Sequence, residues 1–248
     1  MKIIKKDKLP DQGKLILIYS DTGVGKTTSA LQSAPDPILY IATEPRNPKV
    51  SIDAANRPSL DLDLVFYDSW QDTMDFLADD KNTKRHNTII ADSFTYLMNV
   101  SLSSEIENEA FDSRSDAEKK IKPLVNRAKM SPEGYGGLSS QMFRMMKILG
   151  QLSTKGKVVI ITALMQETPK WNRELAAAPA FKGREFPNNM PGFFDLIGFV
   201  QTRHDENGEI IYPPWVSFES PDGSFMAKYT GTGKRRAGPL NFEGILKG

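Results

Sequence analysis

The sequence has no cysteine at all, which excludes disulfides, thiolate metal sites and cysteine nucleophiles, and fits a reducing compartment. Histidine is almost as scarce. His86 and His204 are the only two, too few for a histidine-based metal cluster. Neither sign of charge is in excess: 32 Lys and Arg stand against 31 Asp and Glu, a net charge of +1. The chain is therefore not a globally basic polyanion binder, and any contact with nucleic acid must use local patches. Long apolar runs are missing too. The N-terminal "MKIIKKDKLPDQGKLILIY" is basic and then apolar, but its apolar part is shorter than a signal segment or the roughly 20 residues of a membrane span. These absences predict a cytoplasmic protein without membrane contact.

What the chain does have is enough material for a sizeable core, with 248 residues of which 39% are hydrophobic and 25% charged. Apolar strands alternate with longer amphipathic segments, the order expected of a mostly parallel sheet flanked by helices, an α/β fold. Strands are predicted at Leu15 to Tyr19, Ile38 to Thr43, Leu62 to Tyr67, Thr88 to Ala91 and Val158 to Thr162. Helices are predicted at Lys26 to Ser33, Trp70 to Ala78, Phe94 to about Met130 with breaks, and Leu138 to Leu152. In the last, Leu138, Met142, Met145, Met146 and Leu149 share one face and read as core. From Phe193 onward β-type runs are split by Glu206-Asn207-Gly208 and Pro221-Asp222-Gly223, predicting antiparallel strands that extend the same sheet. The expected organisation is one domain over 1–248: a lead at 1–14, an α/β core at 15–192, and a C-terminal β extension with a basic tail at 193–248.

The stretch "LILIYSDTGVGKTTSALQ" carries the most specific signal. Ser20 to Thr27 fits the spacing of a phosphate-binding loop at every defining position except the first, where serine replaces glycine, and it lies between a strand and a helix. Gly23 and Gly25 let the backbone wrap phosphates, Lys26 would reach the β and γ oxygens, and the Thr27 hydroxyl would ligate Mg²⁺. The nucleotide-binding set is Asp21, Thr22, Gly23, Val24, Gly25, Lys26, Thr27 and Thr28. An acid at the end of a second buried strand should hold the metal's water shell. Asp92 in "NTIIADSFTYL" supplies it, Asp68 being the rival and a helix N-cap the alternative role. Glu44, after "ILYIAT", is the candidate for polarising the attacking water, the alternative being a solvated loop residue. Gln166, after "VVIITALM", is the candidate γ-phosphate sensor, with Thr162 competing.

Together "LIYSDTGVGKTT", "YIATE", "TIIADSFTYL", "YGGLSSQMFRMMKILGQLSTKGKVVIITA" and "FKGREFPNNMPGFFDLIGFV" resemble the RecA-like P-loop ATPases, and most closely the small phage nucleotide-binding ATPases of single-strand annealing and recombination. The chain departs from that pattern at Ser20 and at "TALMQ", where many relatives place a histidine. The resemblance implies a RecA-like core, ATP and Mg²⁺ as cofactors, and DNA-stimulated ATP hydrolysis. It also implies homo-oligomeric assembly on single-stranded DNA, with a single-strand DNA-binding protein as a possible partner and the host cytoplasm as the location for a phage-encoded chain. The γ-phosphate would then be contacted across a subunit boundary, for which Lys234 and Arg235 in "MAKYTGTGKRRAGPLNF" are the catalytic candidates, beside Lys228 and Arg236. A DNA backbone contact or a solvated charge run are the other readings of that tail.

DNA would meet the segment Gln166 to Met190, which shows little periodicity and contains Lys170, Trp171, Arg173, Lys182 and Arg184; Trp171 or Phe181 could stack on bases. A surface lid is the alternative. The run Lys119, Lys120, Lys122, Arg127 and Lys129 reads as a solvated helix face rather than a second DNA patch. No Asn-Lys-x-Asp motif marks a GTPase, and "VVIITAL" lacks the closing acid of an ABC-type ATPase. The competing function is an accessory P-loop ATPase, a loader or packaging factor acting on a protein partner. Lys26→Ala is expected to abolish tight ATP binding without unfolding the chain, because it deletes a charge-assisted phosphate contact on a loop. Calorimetric titration with ATP checks it, and parental hydrolysis by the variant would refute the phosphate-loop reading.

Overall fold

A computed structural model of the chain describes residues 12–112, 130–169, 175–231 and 236–247. The run "LILIYS" forms β1 (Leu15–Ser20), buried at every residue, as a strand covered on both faces of a parallel sheet must be. There follow α1 (Lys26–Ser33), β2 (Ile38–Ala42), α2 (Lys49–Ala55), β3 (Leu62–Phe66), α3 (Trp70–Ala78), α4 (Asp80–Thr83) and β4 (Thr88–Asp92). Beyond β4 the chain passes through α5 (Phe94–Tyr96), a wide π-type turn (Leu97–Leu102) and α6 (Ser103–Asp112). Next come α7 (Pro132–Thr154), β5 (Val158–Pro169), β6 (Leu175–Pro179), α8 (Glu185–Asn189) and a 3-10 turn (Met190–Gly192). The chain closes with β7 (Leu196–His204), β8 (Ile210–Ser217), β9 (Lys228–Tyr229), β10 (Ala237–Pro239) and α9 (Phe242–Lys247).

The strands form one sheet in the order β10-β8-β7-β1-β5-β4-β2-β3, with β6 paired to β5 and β9 to β7. Strands β7, β1, β5, β4, β2 and β3 run parallel, while β8, β9, β10 and β6 pair antiparallel. This is the mostly parallel α/β architecture, extended by antiparallel strands in the C-terminal segment, that the alternation of strands and helices and the turn signals predicted. β7 departs from the expectation for the C-terminal segment, since it joins the core in parallel beside β1. Side-chain alternation divides the core. Leu15, Leu17, Tyr19, Leu39, Ile41, Ile89, Val159 and Ile161 meet α3 and the Leu138, Met142, Met145, Met146 and Leu149 face of α7. Ile16, Ile18, Ile38, Tyr40, Ile90 and Ile160 meet Ala30 and Leu31 of α1. Parallel register brings the carboxyl ends of β1, β5, β4 and β2 to one edge, where ligands bind in such sheets.

Two segments differ from the sequence expectation. Helix α7 starts at Pro132, earlier than its apolar period shows, because Ser131 caps it by accepting the Gly134 amide at 3.0 Å and Pro132 suits the first turn. Gly134, Gly136 and Gly137 hide that first turn, glycine being a poor helix former. Over its described residues the segment Gln166 to Met190 is not an irregular loop: β5 continues to Pro169 and pairs with β6, from Met165↔Pro179 to Pro169↔Leu175. "LAAAP" carries no β-branched or aromatic signal, so strand pairing overrides its local preference. No helix among the described residues is long and apolar enough to cross a membrane. Leu149 is fully buried between α7 and the sheet. Leu149→Ala is expected to cost about 2–5 kcal/mol, read as a lower urea midpoint at unchanged slope.

Candidate active site

Beyond β1 the backbone turns at Gly23 (φ 76°) and Gly25 (φ 97°), left-handed conformations that strain any residue with a Cβ. Ser20 needs no such conformation. Asn56 is the one non-glycine residue with positive φ among the described residues. Ser20 is buried, and its hydroxyl donates to the Asp21 carbonyl at 2.9 Å while accepting from Lys26 Nζ at 2.8 Å. Lys26 Nζ donates further to the carbonyls of Asp21 at 2.7 Å and Ser20 at 3.2 Å. Serine in the place of glycine thus adds an acceptor for the lysine without distorting the loop. Burial pulls Lys26 down to about 8, against the opposing pull of Asp92, Asp21 and Glu44. A phosphate would add negative charge against the burial that disfavours the ammonium. Lys26 also opens α1, whose first turn carries no acidic residue to compete with an anion at the helix N-terminus.

Asp92 ends β4 with its side chain almost wholly buried. Its Oδ2 accepts from Thr27 Oγ1 at 2.7 Å and from the Tyr40 hydroxyl at 2.5 Å, and its Oδ1 accepts from Thr162 Oγ1. The helix-cap position before α5 belongs to Ser93, whose amide donates to Thr43 Oγ1 at 2.8 Å. Asp68 is exposed beyond the edge strand β3 and does not line this cleft. Thr27 and Asp92 offer hard oxygen donors within hydrogen-bond distance, a set that suits Mg²⁺, which keeps several waters and takes its other ligands from substrate phosphates. Among the described residues no cluster of three His, Cys, Asp or Glu could hold a metal alone.

Gly25, Lys26, Thr27, Asp92 and Thr162 line a cleft of about 230 Å³ together with Thr22, Gly23, Thr28 and Glu44. Glu44 lines the same cleft as the phosphate loop although β5 and β4 lie between β1 and β2. It reaches the cleft from the far side of Asp92. Its carboxylate is 19% exposed and pairs with Arg46 at 2.6 Å. Burial raises its pKa, Arg46 lowers it, and Asp92 raises it further. Thr162 is buried on Asp92, whereas Gln166 lies farther along β5 opposite Ala178 and outside the cleft lining. Tyr40 was not legible as a site residue, since an aromatic inside "ILYIA" reads as core until the sheet register sets its hydroxyl on Asp92.

The basic candidates separate. Lys228 Nζ donates to the Pro191 carbonyl at 2.9 Å, and Arg236 pairs with Glu219 at 2.7 Å and lies 4.2 Å above the Tyr229 ring. Lys234 and Arg235 lie outside the described residues, as do Lys170, Trp171, Arg173 and the run from Lys119 to Lys129. Phe181 is not free to stack on a base: it is buried against Phe186, with ring centroids 5.4 Å apart. Lys182 Nζ donates to Ser103 Oγ at 2.8 Å, while Arg184 is exposed.

A phosphate loop at the carboxyl edge of a mostly parallel sheet, with Asp92 one strand beyond the neighbouring β5, defines a P-loop ATPase. The sequence matches the family model for the AAA domain over residues 12–235, and the chain belongs to that family. No curated protein matches it by sequence. Among solved structures it is similar to the KaiC-like protein PH0186 of the hyperthermophilic archaeon Pyrococcus horikoshii OT3, with 15% identity over 86% of this chain and 82% of that one and a TM-score of 0.41. Glu44→Gln is expected to keep ATP affinity and lose about 10²- to 10⁴-fold in turnover, because an amide fills the same space without accepting a proton. Paired binding and single-turnover measurements check it, and undiminished turnover would leave Glu44 a structural partner of Arg46.

Proposed function

We propose that this chain is an ATP-hydrolysing, Mg²⁺-dependent protein that assembles with copies of itself on single-stranded DNA. The observation that carries the hydrolytic part is the convergence of the buried Lys26 ammonium, the Thr27–Asp92 pair and Glu44 in one cleft. Lys26 would exchange its loop acceptors for phosphate oxygens, which are stronger, charged partners. Mg²⁺ at Thr27 would neutralise charge on the β and γ phosphates. Asp92, held by Tyr40 and Thr162, keeps its carboxylate aimed at that position. Glu44, released from Arg46, would accept the proton of the attacking water, and its raised pKa suits it to hold one. Gln166 would act from the β5–β6 hairpin as a reporter of nucleotide state.

The DNA-binding part rests on the resemblance to the annealing-associated ATPases and on the exposed Arg184 beside the β5–β6 hairpin. The burial of Phe181 and the tethering of Lys182 favour a second reading, in which the chain is an accessory ATPase with a protein partner. Lys234 and Arg235 are proposed as cations supplied to a neighbour's γ-phosphate, within a single domain that contains both the nucleotide site and the tail.

ATP turnover with and without single-stranded DNA separates the two readings. The first expects stimulation and co-migration with the DNA; equal rates and no co-migration would support the second. Replacing Lys234 and Arg235 by alanine is expected to lower hydrolysis by about 10³-fold while sparing ATP binding, since a trans finger touches charge that develops only in the transition state. Mixing that variant with Lys26→Ala subunits, which keep the tail, should restore activity at shared interfaces. Co-assembly without restoration would place these cations in cis or on DNA.

A further inference from the structure

The phosphate-binding groups described above account for one end of a nucleotide and leave the nucleobase without a partner. Strand β8 supplies one. Its pairing with β7 passes from Gln201↔Trp215 to Arg203↔Ile211, so that Tyr212, Pro213 and Pro214 stand opposite Thr202 alone. Such a bulge bends the strand and re-aims its side chains. Here it carries Tyr212 to the phosphate loop: a methyl group placed on Gly25 would lie 3.3 Å from Tyr212 Cε1 and 3.8 Å from the Pro214 ring. Gly25 in turn lines the cleft with Lys26 and Thr27. Tyr212 is thus an aromatic ring packed on the residue that immediately precedes the phosphate-binding lysine.

Burial does not explain it. Tyr212 is 60% exposed, one of the most exposed large hydrophobic side chains among the described residues. Its mounting is firm nonetheless. The Pro213 carbonyl accepts from Arg203 Nη2 at 3.1 Å, and the Pro214 carbonyl accepts from the Leu240 amide at 2.7 Å. A solvent-facing tyrosine on a braced backbone has only two side-chain torsions to lose when a planar ligand covers it, and its face is suited to a base of any sequence.

We propose that Tyr212 is the stacking platform for the nucleobase of the bound nucleoside triphosphate, a purine by preference because a larger ring covers more of the tyrosine face. This assignment rests on the phosphate-loop reading and adds the base subsite to it. The phosphates would be held by Lys26 and the loop, while the base lies outside the cleft on the β8 side.

Titration of the full chain with ATP and, separately, with inorganic tripolyphosphate tests it, because the second ligand has phosphates and no base. Tyr212→Ala is expected to weaken ATP binding by about tenfold and to leave tripolyphosphate binding as in the parent. Tyr212→Phe, which keeps the ring, should restore ATP binding. Parental ATP affinity in Tyr212→Ala would overturn the assignment. Equal losses for ATP and tripolyphosphate would also overturn it, by showing that the ring acts through the conformation of Gly25. A parent chain that binds neither ligand would instead refute the phosphate-loop reading beneath it.

Discussion

The carboxylate of Asp92 is the point on which the site depends. Through Thr27 it is bonded to α1, through Tyr40 to β2 and through Thr162 to β5, so one side chain ties together the phosphate loop and three neighbouring strands. A buried carboxylate is costly unless its lone pairs are taken up, and here hydroxyl donors reach both oxygens. The same bonds set the direction in which the remaining electron density points. Three polar residues in otherwise apolar strands are the local consequence: Tyr40, Thr162 and Asp92 itself interrupt runs that would read as uniform core.

Lys26 is held under the opposite constraint. Burial disfavours its charge, and the loop carbonyls with Ser20 Oγ compensate only in part, which leaves its pKa near 8. A cation kept in this condition gains most from a multiply charged anion, the type of ligand that the glycine turns and the start of α1 also favour. Ser20 belongs to this arrangement. Its hydroxyl fills a place that glycine would leave empty, and no backbone strain accompanies it. Glu44 and Arg46 form the other wall, where an exposed guanidinium opposes the rise that burial imposes on the pKa of the carboxylate.

Around this site the C-terminal strands do more than widen the sheet. β7 enters in parallel beside β1, and β8 then bulges back toward the phosphate loop, so that Tyr212 and Pro214 stand against Gly25. The cations of the same segment are partly committed elsewhere, Lys228 to a carbonyl and Arg236 to Glu219 and Tyr229.

The phosphate loop, the strands that frame it and the helical face of α7 were all legible in the sequence, because each depends on neighbours close in the chain: glycines at a turn, a lysine and threonine opening a helix, apolar residues at a fixed period. Asp92 was legible for the same reason, as an acid ending an apolar run. What a linear pattern could not show was which strands lie side by side. Placing β5 and β4 between β1 and β2 moved Glu44 to the far wall of the cleft and set Thr162 and Tyr40 on Asp92. The pairing of β5 with β6 made a hairpin of an apparently irregular segment, and the packing around it buried Phe181. Hydrogen-bond pairing between distant segments fixes such neighbours, and the local propensity of Ala-rich or glycine-rich stretches is too weak to announce it.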